Sequence, residues 1–352
     1  MPAIRLADVV DGRSNNFNLI RFLAATSVIL FHSYALTGRW TDEPLWKLAP
    51  ELNLGTLGVK SFFFVSGFLV TKSFVERKRL LPFVAARALR IYPALTCATL
   101  VTIGFAAWSS GRGLAAFVMD PQTLDYAWRS ATAFDVRDRL PGAYATNPFP
   151  HSVNGSLWTL PVEIRLYVAL GVAGVAGILA RRFLWLALIL TLIALFAVRP
   201  TWFPLTQYGP ATQALALLFA LGSLAYVWRE RLKLSVVAAS IAVAIVVWNV
   251  GGIPRGWLFE PLLAYVLLVA AYHPLLAWPA FNRIGDYSYG LYVYAFPIQQ
   301  TVARLAPGVE PAAMFVLAFV PTLALAALSW RLIEKPALGL KSRFDKESVA
   351  YR

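Results

Sequence analysis

Long apolar runs alternate with short polar and basic segments along most of the chain. Three of the longest runs cover 183–198, 234–250 and 314–328. Each approaches the roughly twenty apolar residues that an α-helix needs to cross a bilayer. A large soluble core is the alternative interpretation, but charged residues interrupt soluble cores far more often. The pattern therefore predicts membrane-spanning helices.

About ten such helices fit into the chain at roughly twenty residues per crossing. The predicted spans lie near 17–37, 56–75, 91–110, 156–180, 183–198, 209–228, 234–250, 256–272, 288–304 and 311–333. The predicted fold class is all-α, a polytopic integral membrane protein with one membrane domain over 17–337. A polar segment, 1–16, precedes that domain, and a tail, 338–352, follows it. The segment 80–91 is too short to cross and predicts an interfacial helix between the second and third spans.

The first span lacks an A-x-A cleavage site, so we interpret it as a retained helix and not as a signal peptide.

Charged residues make up only 14% of the chain and hydrophobic residues 59%, which excludes an ordinary soluble domain. A net charge of +14 would suggest nucleic acid in a soluble protein. Here the basic residues lie between apolar runs, so the positive-inside rule explains them and no nucleic-acid partner is expected.

Loop charges predict the orientation of the chain. With the N-terminus in the cytoplasm, the inward segments carry about twice as many basic residues as the outward ones. The longest outward loop, 111–155, mixes its arginines with four aspartates. The bias predicts that the N- and C-termini are both cytoplasmic.

Ionisable residues inside predicted spans mark candidate sites, because each costs about 2.5–3.5 kcal/mol on insertion scales. Arg21 and His32 lie eleven residues apart in the first span, within roughly 20° of one helix face. Glu163, in the fourth span, has a predicted depth similar to that of His32 and would hold it as a general base in one tautomer. The alternatives are a snorkelling Arg21, a satisfied core His32, and a Glu163 that pairs with Arg165 or Lys60 only for structure.

Arg87 and Arg90 form an R-x-x-R pattern that places both guanidinium groups on one helix face. At the predicted cytoplasmic surface, they suit bidentate binding of nucleotide phosphates. Anchoring to lipid headgroups is the alternative. No P-loop, G-x-S-x-G or H-E-x-x-H motif occurs, and the few histidines and the single cysteine predict no metal site.

Six short segments, in order over roughly 15–337, resemble the acyltransferase-3 family of bacterial membrane O-acyltransferases. Any one motif is weak, but six in the family's order make the resemblance specific. The segments are NLIRFLAATSVILFH (Arg21, His32), GVKSFFFVSGF (Ser66), ARALRIYP (Arg87, Arg90), NGSLWTLPVE (Ser156, Trp158, Glu163), SYGLYVYAFP and RLIEKP.

The fifth segment departs from the family pattern. Many members carry a histidine shortly before its proline, where this chain has Tyr294-Ala295-Phe296-Pro297. A second intramembrane histidine is therefore not expected there, which puts more weight on His32.

The resemblance implies transfer of an acyl group, usually acetyl, from cytoplasmic acetyl-CoA to a carbohydrate hydroxyl outside the cytoplasm. It also implies a multi-pass protein of the bacterial cytoplasmic membrane. His32, oriented by Glu163, is expected either to deprotonate the acceptor hydroxyl or to carry the acyl group briefly. The CoA phosphates are expected to bind Arg21, Arg87 and Arg90. The substrate path is expected to include Lys60, Ser66, Asn154, Ser156, Trp158 and Arg165.

A transporter or flippase for a sugar or a lipid-linked sugar is the alternative function. Charges inside the membrane suit it equally well. The chain shows no clear internal repeat, and a sugar carrier has little need of a cytoplasmic R-x-x-R. Acyl transfer is therefore the favoured prediction.

Overall fold

The computed structural model is helical almost throughout and describes residues 3–12, 14–48, 52–202, 205, 211–248 and 258–347. Its α-helices are α1 Leu6–Val9, α2 Phe17–Leu36, α3 Pro44–Leu48, α4 Leu54–Arg77, α5 Leu80–Ser110, α6 Leu114–Val118, α7 Pro121–Thr132, α8 Thr159–Val175, α9 Arg182–Val198, α10 Thr212–Val227, α11 Val236–Trp248, α12 Phe259–Tyr272, α13 Ser288–Leu305, α14 Pro311–Ser329, α15 Lys335–Gly339 and α16 Lys341–Glu347. Short 3-10 turns cover Trp40–Asp42, Gly155–Trp158, Pro200–Trp202, Pro274–Leu276 and Pro279–Arg283, and a π-helical turn covers Trp330–Glu334. Two short strands, β1 Ile4–Arg5 and β2 Lys233–Leu234, pair antiparallel with Ile4 opposite Leu234.

Each of the ten predicted spans overlaps a helix. The starts of the spans near 209–228 and 256–272 and the end of the span near 234–250 lie outside the described residues. Four shorter apolar helices are α9 to α12. The stretches long and apolar enough to cross a bilayer are Phe17–Leu36, Leu54–Arg77, Leu80–Ser110, Gly155–Val175 and Pro311–Phe344. The chain is therefore a helical membrane protein, while ten crossings and cytoplasmic termini stay predictions.

The structure differs from the predicted boundary near residue 91. The segments 80–91 and 91–110 form one continuous helix, α5, with Pro93 inside it. Proline removes one helical hydrogen bond, so the sequence favours a break there. The buried residues Ala86, Ala94 and Ala98 share one face on both sides of the proline. Packing of that face holds the helix together, and the interfacial location of 80–91 stays a prediction.

Two compact units make up the fold, each assembled from three stretches of chain. The first unit comprises Met1–Ala24, Leu57–Leu80 and Arg165–Gly285. The second unit comprises Ala25–Thr56, Leu81–Ile164 and Asp286–Arg352. The prediction of a single membrane domain over 17–337 stays a prediction.

In the first unit, α4 and α10 approach each other closely at two glycines. A side-chain carbon added at Gly67 would lie 2.0 Å from the carbonyl oxygen of Phe219. One added at Gly222 would lie 2.2 Å from the carbonyl oxygen of Phe64. Small residues let membrane helices pack backbone against backbone, and here each helix contributes one.

Asn16 fixes the start of α2 within the first unit. Its side-chain amide donates to the carbonyl of Ala270 at 2.9 Å and to that of Leu276 at 2.6 Å. Its side-chain oxygen accepts from the N–H of Trp278 at 2.7 Å. One polar side chain thus satisfies backbone groups where α12 ends, and it anchors the helix that carries Arg21.

In the second unit, the predicted loop 111–155 is folded around a small core of its own. The core includes residues of α5 together with Phe117, Tyr126, Leu140, Tyr144 and Val153. Burial raises the pKa of Tyr144 to about 12, so its phenol stays neutral. The loop therefore covers the Ser110 end of α5 as a packed layer.

Asp120 starts α7 as its N-cap. Its carboxylate accepts from the N–H of Gln122 at 2.9 Å and from the Arg112 guanidinium at 2.9 Å. Both hydrogen bonds lower the pKa of the Asp120 carboxyl below its usual value. The bond from the Gln122 N–H has the larger effect, and the bond from the Arg112 guanidinium has the next largest. This cap fixes where the helix begins.

Candidate functional site

His32 lies on α2 against α13 in the second unit. Its ring meets the ring of Phe296 edge-on, with centroids 5.1 Å apart. The Nδ1 atom is buried and has no hydrogen-bond partner among the residues that the structure describes. Leaving a buried polar atom unpaired costs free energy, which a ligand that hydrogen-bonds to Nδ1 would recover.

Gln299 ties α13 to the backbone on both sides of His32. Its side-chain amide donates to the carbonyl of Ile29 at 2.8 Å and to the hydroxyl of Ser33 at 2.9 Å. The imidazole therefore projects from a fixed stretch of α2. The sequence prediction missed Gln299, although paired glutamines at 299–300 inside a predicted span are a signal of the same kind as a buried charge.

The Gly155–Trp158 turn contacts the same phenylalanine as His32. A side-chain carbon added at Gly155 would lie 2.9 Å from the Phe296 ring. Trp158 itself is exposed. Within the described part of the second unit, this region also holds buried oxygens without hydrogen-bond partners, namely Ser152 Oγ, Asn154 Oδ1, Ser156 Oγ and Gln299 Oε1. Unpaired buried oxygens are suited to a ligand with several hydroxyl groups.

Asn154 has a structural partner that the sequence prediction did not foresee. Its side-chain amide donates to the carbonyl of Val293 at 2.9 Å. That carbonyl needs a partner because Pro297, four residues later in α13, has no N–H to offer it. The side-chain nitrogen of Asn154 thus replaces the missing helical hydrogen bond, and its side-chain oxygen is left for other contacts.

We expect Asn154→Ala to lower the free energy of unfolding by about 1–3 kcal/mol, because it leaves the Val293 carbonyl unpaired. Pro297→Ala supplies an N–H at the position that normally bonds this carbonyl. The double variant should therefore unfold at a higher temperature than Asn154→Ala alone. Thermal unfolding of the purified proteins measures this, and equal midpoints for the two would contradict the pairing.

Tyr292 joins the Gly155–Trp158 turn to α8. Its hydroxyl donates its hydrogen to the carbonyl of Ser156 at 2.6 Å. Because that hydrogen is used there, the same hydroxyl accepts from the hydroxyl of Thr159 at 2.7 Å. Glu163 lies one turn after Thr159 on the same face of α8. The pairing of Glu163 with His32 stays a prediction. Tyr292, which the sequence prediction did not single out, fixes the start of the helix that carries Glu163.

Arg90 lies in a buried ion-pair network. Its guanidinium is 2.5 Å from Asp286 and 3.5 Å from Glu334, and it stacks over the ring of Tyr289. The three charged side chains are only 14%, 11% and 2% exposed, respectively. Arg90 therefore pairs with two carboxylates, a role that the sequence prediction missed. Phosphate binding by Arg87 and Arg90 stays a prediction.

The RLIEKP segment brings Glu334 to this network through the π-helical turn Trp330–Glu334. The turn ends two residues before Pro336, whose ring disfavours an ordinary α-helical path. Ser329 donates to Glu334 at 3.2 Å, and the Tyr294 hydroxyl donates to Ser329 at 3.3 Å. Single π turns often occur at functional sites, and this one aims a carboxylate at Arg90.

We expect Arg90→Ala to cost about 3–5 kcal/mol of stability, because it removes a cation that two buried carboxylates share. Adding Asp286→Asn and Glu334→Gln removes the excess charge, so the triple variant should recover most of the lost unfolding temperature. The KM for acetyl-CoA, measured on the triple variant, then tests phosphate binding apart from folding. An unchanged KM would speak against that role for Arg90.

Lys60 has a partner within the first unit. Its ammonium group lies 2.8 Å from Glu260, and both side chains are largely buried. Lys60 also lies over the ring of Phe259. The sequence prediction missed Glu260, although this residue lies inside the predicted span 256–272 and carries the same signal as the charges that were selected.

The other predicted residues occupy separate places in the first unit. Arg21 is half-buried on α2, and the hydroxyls of Ser66 and Tyr167 are 3.2 Å apart. Arg165 lines an otherwise largely apolar cavity of about 410 Å³ beside α8, α9 and α10. The first unit holds Arg21, Lys60, Ser66 and Arg165, and the second holds His32, Arg87, Arg90, Asn154, Ser156, Trp158 and Glu163. The substrate roles of these residues stay predictions.

Known proteins match the chain along nearly its whole length. A family model for the acyltransferase-3 family, described as an acyltransferase domain, matches residues 14–331. An O-acetyl transferase of Shigella phage Sf6 is 29% identical over 339 residues, which cover 94% of this chain and 98% of the relative. Nodulation protein 10 of Rhizobium leguminosarum bv. viciae is 30% identical over 370 residues, which cover 94% and 95%. No solved structure matches the chain.

These matches confirm the resemblance that the six segments indicate. The matched range begins before Arg21 and ends after Pro297, so it includes every residue that the sequence predicts for the site. The chain belongs to the acyltransferase-3 family of acyltransferases.

Proposed function

We propose that the chain transfers an acetyl group from cytoplasmic acetyl-CoA to a hydroxyl of a cell-envelope or exported carbohydrate. Membership of the acyltransferase-3 family supports O-acyl transfer, and the name of the phage relative supports acetyl as the group. The observation that carries the proposal is the buried Nδ1 of His32, which has no hydrogen-bond partner among the described residues. We place the protein in the bacterial cytoplasmic membrane with several crossings.

His32 supplies the base. The acceptor hydroxyl donates its hydrogen to Nδ1, and the proton passes to the imidazole as the hydroxyl oxygen attacks the thioester carbonyl. The carbon–sulfur bond then breaks, the thiolate of CoA leaves, and it takes up the proton from the imidazolium. In a two-step route the imidazole attacks first and carries the acetyl group to the acceptor.

The neighbouring polar groups suit the rest of the reaction. The hydroxyl of Ser156 is a donor for the oxyanion that forms at the thioester carbon, and Asn154 Oδ1 accepts from a sugar hydroxyl. Glu163 orients His32 and stabilises its charged form. The unpaired atoms of Ser156 and Asn154 and the position of Glu163 on α8 support these proposed roles.

The CoA phosphates are proposed to bind the arginines. Both arginines of the R-x-x-R pair are candidates, and Arg90 also contacts Asp286 and Glu334. Arg21 contributes from α2. Guanidinium groups bind phosphate through paired hydrogen bonds, which suits a donor that carries several phosphates.

Mass spectrometry of envelope glycans from cells with and without the gene tests both donor group and acceptor. We expect one glycan to be heavier by one acetyl group per modified sugar when the gene is present. A gene that carries His32→Ala is the matched control, because it restores the protein but not the mass. Another acyl mass would contradict acetyl transfer, and a changed amount of glycan without a mass shift would favour transport.

A further inference from the structure

Helix α7 buries two hydroxyl residues and a tyrosine, and it exposes large apolar side chains. Its buried residues are Thr123, Tyr126 and Ser130. Leu124 and Trp128, in contrast, are 52% and 71% exposed. A helix at a water-facing surface shows the opposite arrangement, with its apolar stripe turned inwards. Part of the exposed side of α7 therefore suits an apolar surrounding.

The rest of the exposed side of α7 is charged. At 100° per residue, Leu124 and Trp128 lie about 40° apart, and Asp125 and Arg129 lie about 100° further round the helix. Arg129 donates to Asp125 and to Asp135, at 2.7 Å in each case. One side of α7 thus contacts protein, one is apolar and one is charged. Helices that lie in the interface of a membrane show this combination of apolar and charged sides.

The apolar surface continues from α7 towards the membrane helix α5. Its further exposed members are Leu114, Val118, Met119 and Phe134. Leu114 lies four residues after Ser110, where α5 ends, and Trp108 in the last turn of α5 is also exposed. Because α5 is long and apolar enough to cross a bilayer, we expect its Ser110 end to lie at the membrane–water interface. Trp side chains are enriched in that interface.

We propose that the exposed apolar side chains of α6 and α7, together with Phe134, form a lipid-binding surface that lies in the membrane–water interface beside α5. The bilayer covers this surface, because the surface is continuous with the exposed apolar side of a membrane helix. Charge does not drive the contact, since residues 111–140 carry four arginines and four aspartates. Binding comes from insertion of apolar side chains, so it should not depend on anionic lipid.

The lipid-binding surface is packed against the segment that leads to Asn154. Tyr126, on the buried side of α7, shares a cluster with Tyr144 and Val153. Val153 comes directly before Asn154, and the Tyr144 hydroxyl lies 3.0 Å from that of Thr301 on α13. The bilayer therefore supports the same layer of side chains that holds Asn154 against α13.

Depth-dependent quenching in the full-length protein tests the proposal. Single cysteines replace Leu124 or Trp128 in a Cys97→Ser background, and each carries a fluorophore in liposomes. Gln122→Cys is the matched control, because it is exposed on the charged side of the same helix. Nitroxides near the headgroup end of the acyl chains should quench the labels at 124 and 128 several-fold more than the label at 122. Iodide in the water should show the reverse order.

The outcomes separate the bilayer from other partners. Equal access of iodide to all three labels would overturn the proposal, since the apolar side would then face water. Protection from iodide without quenching by lipid nitroxides would also overturn it, because a protein or glycan would be the cover. Quenching should be the same in neutral and anionic liposomes, and a strong dependence on anionic lipid would contradict apolar insertion.

Discussion

Replacing His32 by alanine or asparagine is expected to lower acceptor acetylation by about 10²–10⁴-fold, the usual contribution of a positioned acid–base group. The protein should still insert into the membrane, because His32 forms no hydrogen bond through Nδ1 that folding would lose. Transfer of labelled acetyl from acetyl-CoA to the glycan measures the effect. Recovery of the variant from the membrane fraction as a folded, purified protein checks that it has inserted.

His273 offers the matched control for His32→Asn. It is buried, and its Nδ1 accepts from the N–H of Leu275 at 3.4 Å at the start of a 3-10 turn. Asparagine caps such a turn well, so His273→Asn should keep both folding and activity. Near-normal product from His32→Asn, or an equal loss in both variants, would contradict the assigned role of His32.

A burst experiment separates the two routes that His32 offers. Acetyl-CoA is mixed with the enzyme without an acceptor, and release of CoA is followed. A burst that matches the amount of enzyme indicates an acetyl-imidazole, whereas its absence indicates direct transfer. Either route requires His32, so the His32→Ala protein should show no burst of CoA release.

The elements of the fold could be predicted from the sequence because apolar runs in a membrane protein are long and nearly free of charge. The segment 80–91 shows the limit of that reasoning. Its length alone sets it apart from 91–110, but the structure joins the two in one helix, with buried alanines on both sides of Pro93. A local rule cannot include that packing, which comes from other parts of the chain.

Candidate site residues could be predicted one at a time but not as pairs. Lys60 stands out as a charge in an apolar run, yet its partner, Glu260, lies two hundred residues further along the chain. Asn154 was assigned to the substrate path, although Pro297 signals that a carbonyl in α13 needs a donor. The sequence shows that such a donor is needed and does not show which side chain provides it.

Gly67→Ala is expected to separate α4 from α10 and to reduce the yield of folded protein sharply. The added carbon would lie 2.0 Å from the carbonyl oxygen of Phe219, far inside contact distance. A backbone oxygen in a packed helix cannot rotate away, so the cost should reach at least the upper end of the about 1–3 kcal/mol typical of overpacking. Unfolding temperature and folded yield in detergent measure the effect.

Gly104→Ala is the control for Gly67→Ala, because nothing lies within 4 Å of the added carbon in α5. Alanine favours a helix over glycine by about 1 kcal/mol, so this variant should be at least as stable as the parent. Ser66→Ala provides a second comparison, since it removes the contact with Tyr167 but fits the same space. If Gly67→Ala unfolds no earlier than Gly104→Ala, the close approach of α4 and α10 is wrong. If Ser66→Ala folds but loses activity, Ser66 has a functional role, whereas the neighbouring Gly67 has a structural one.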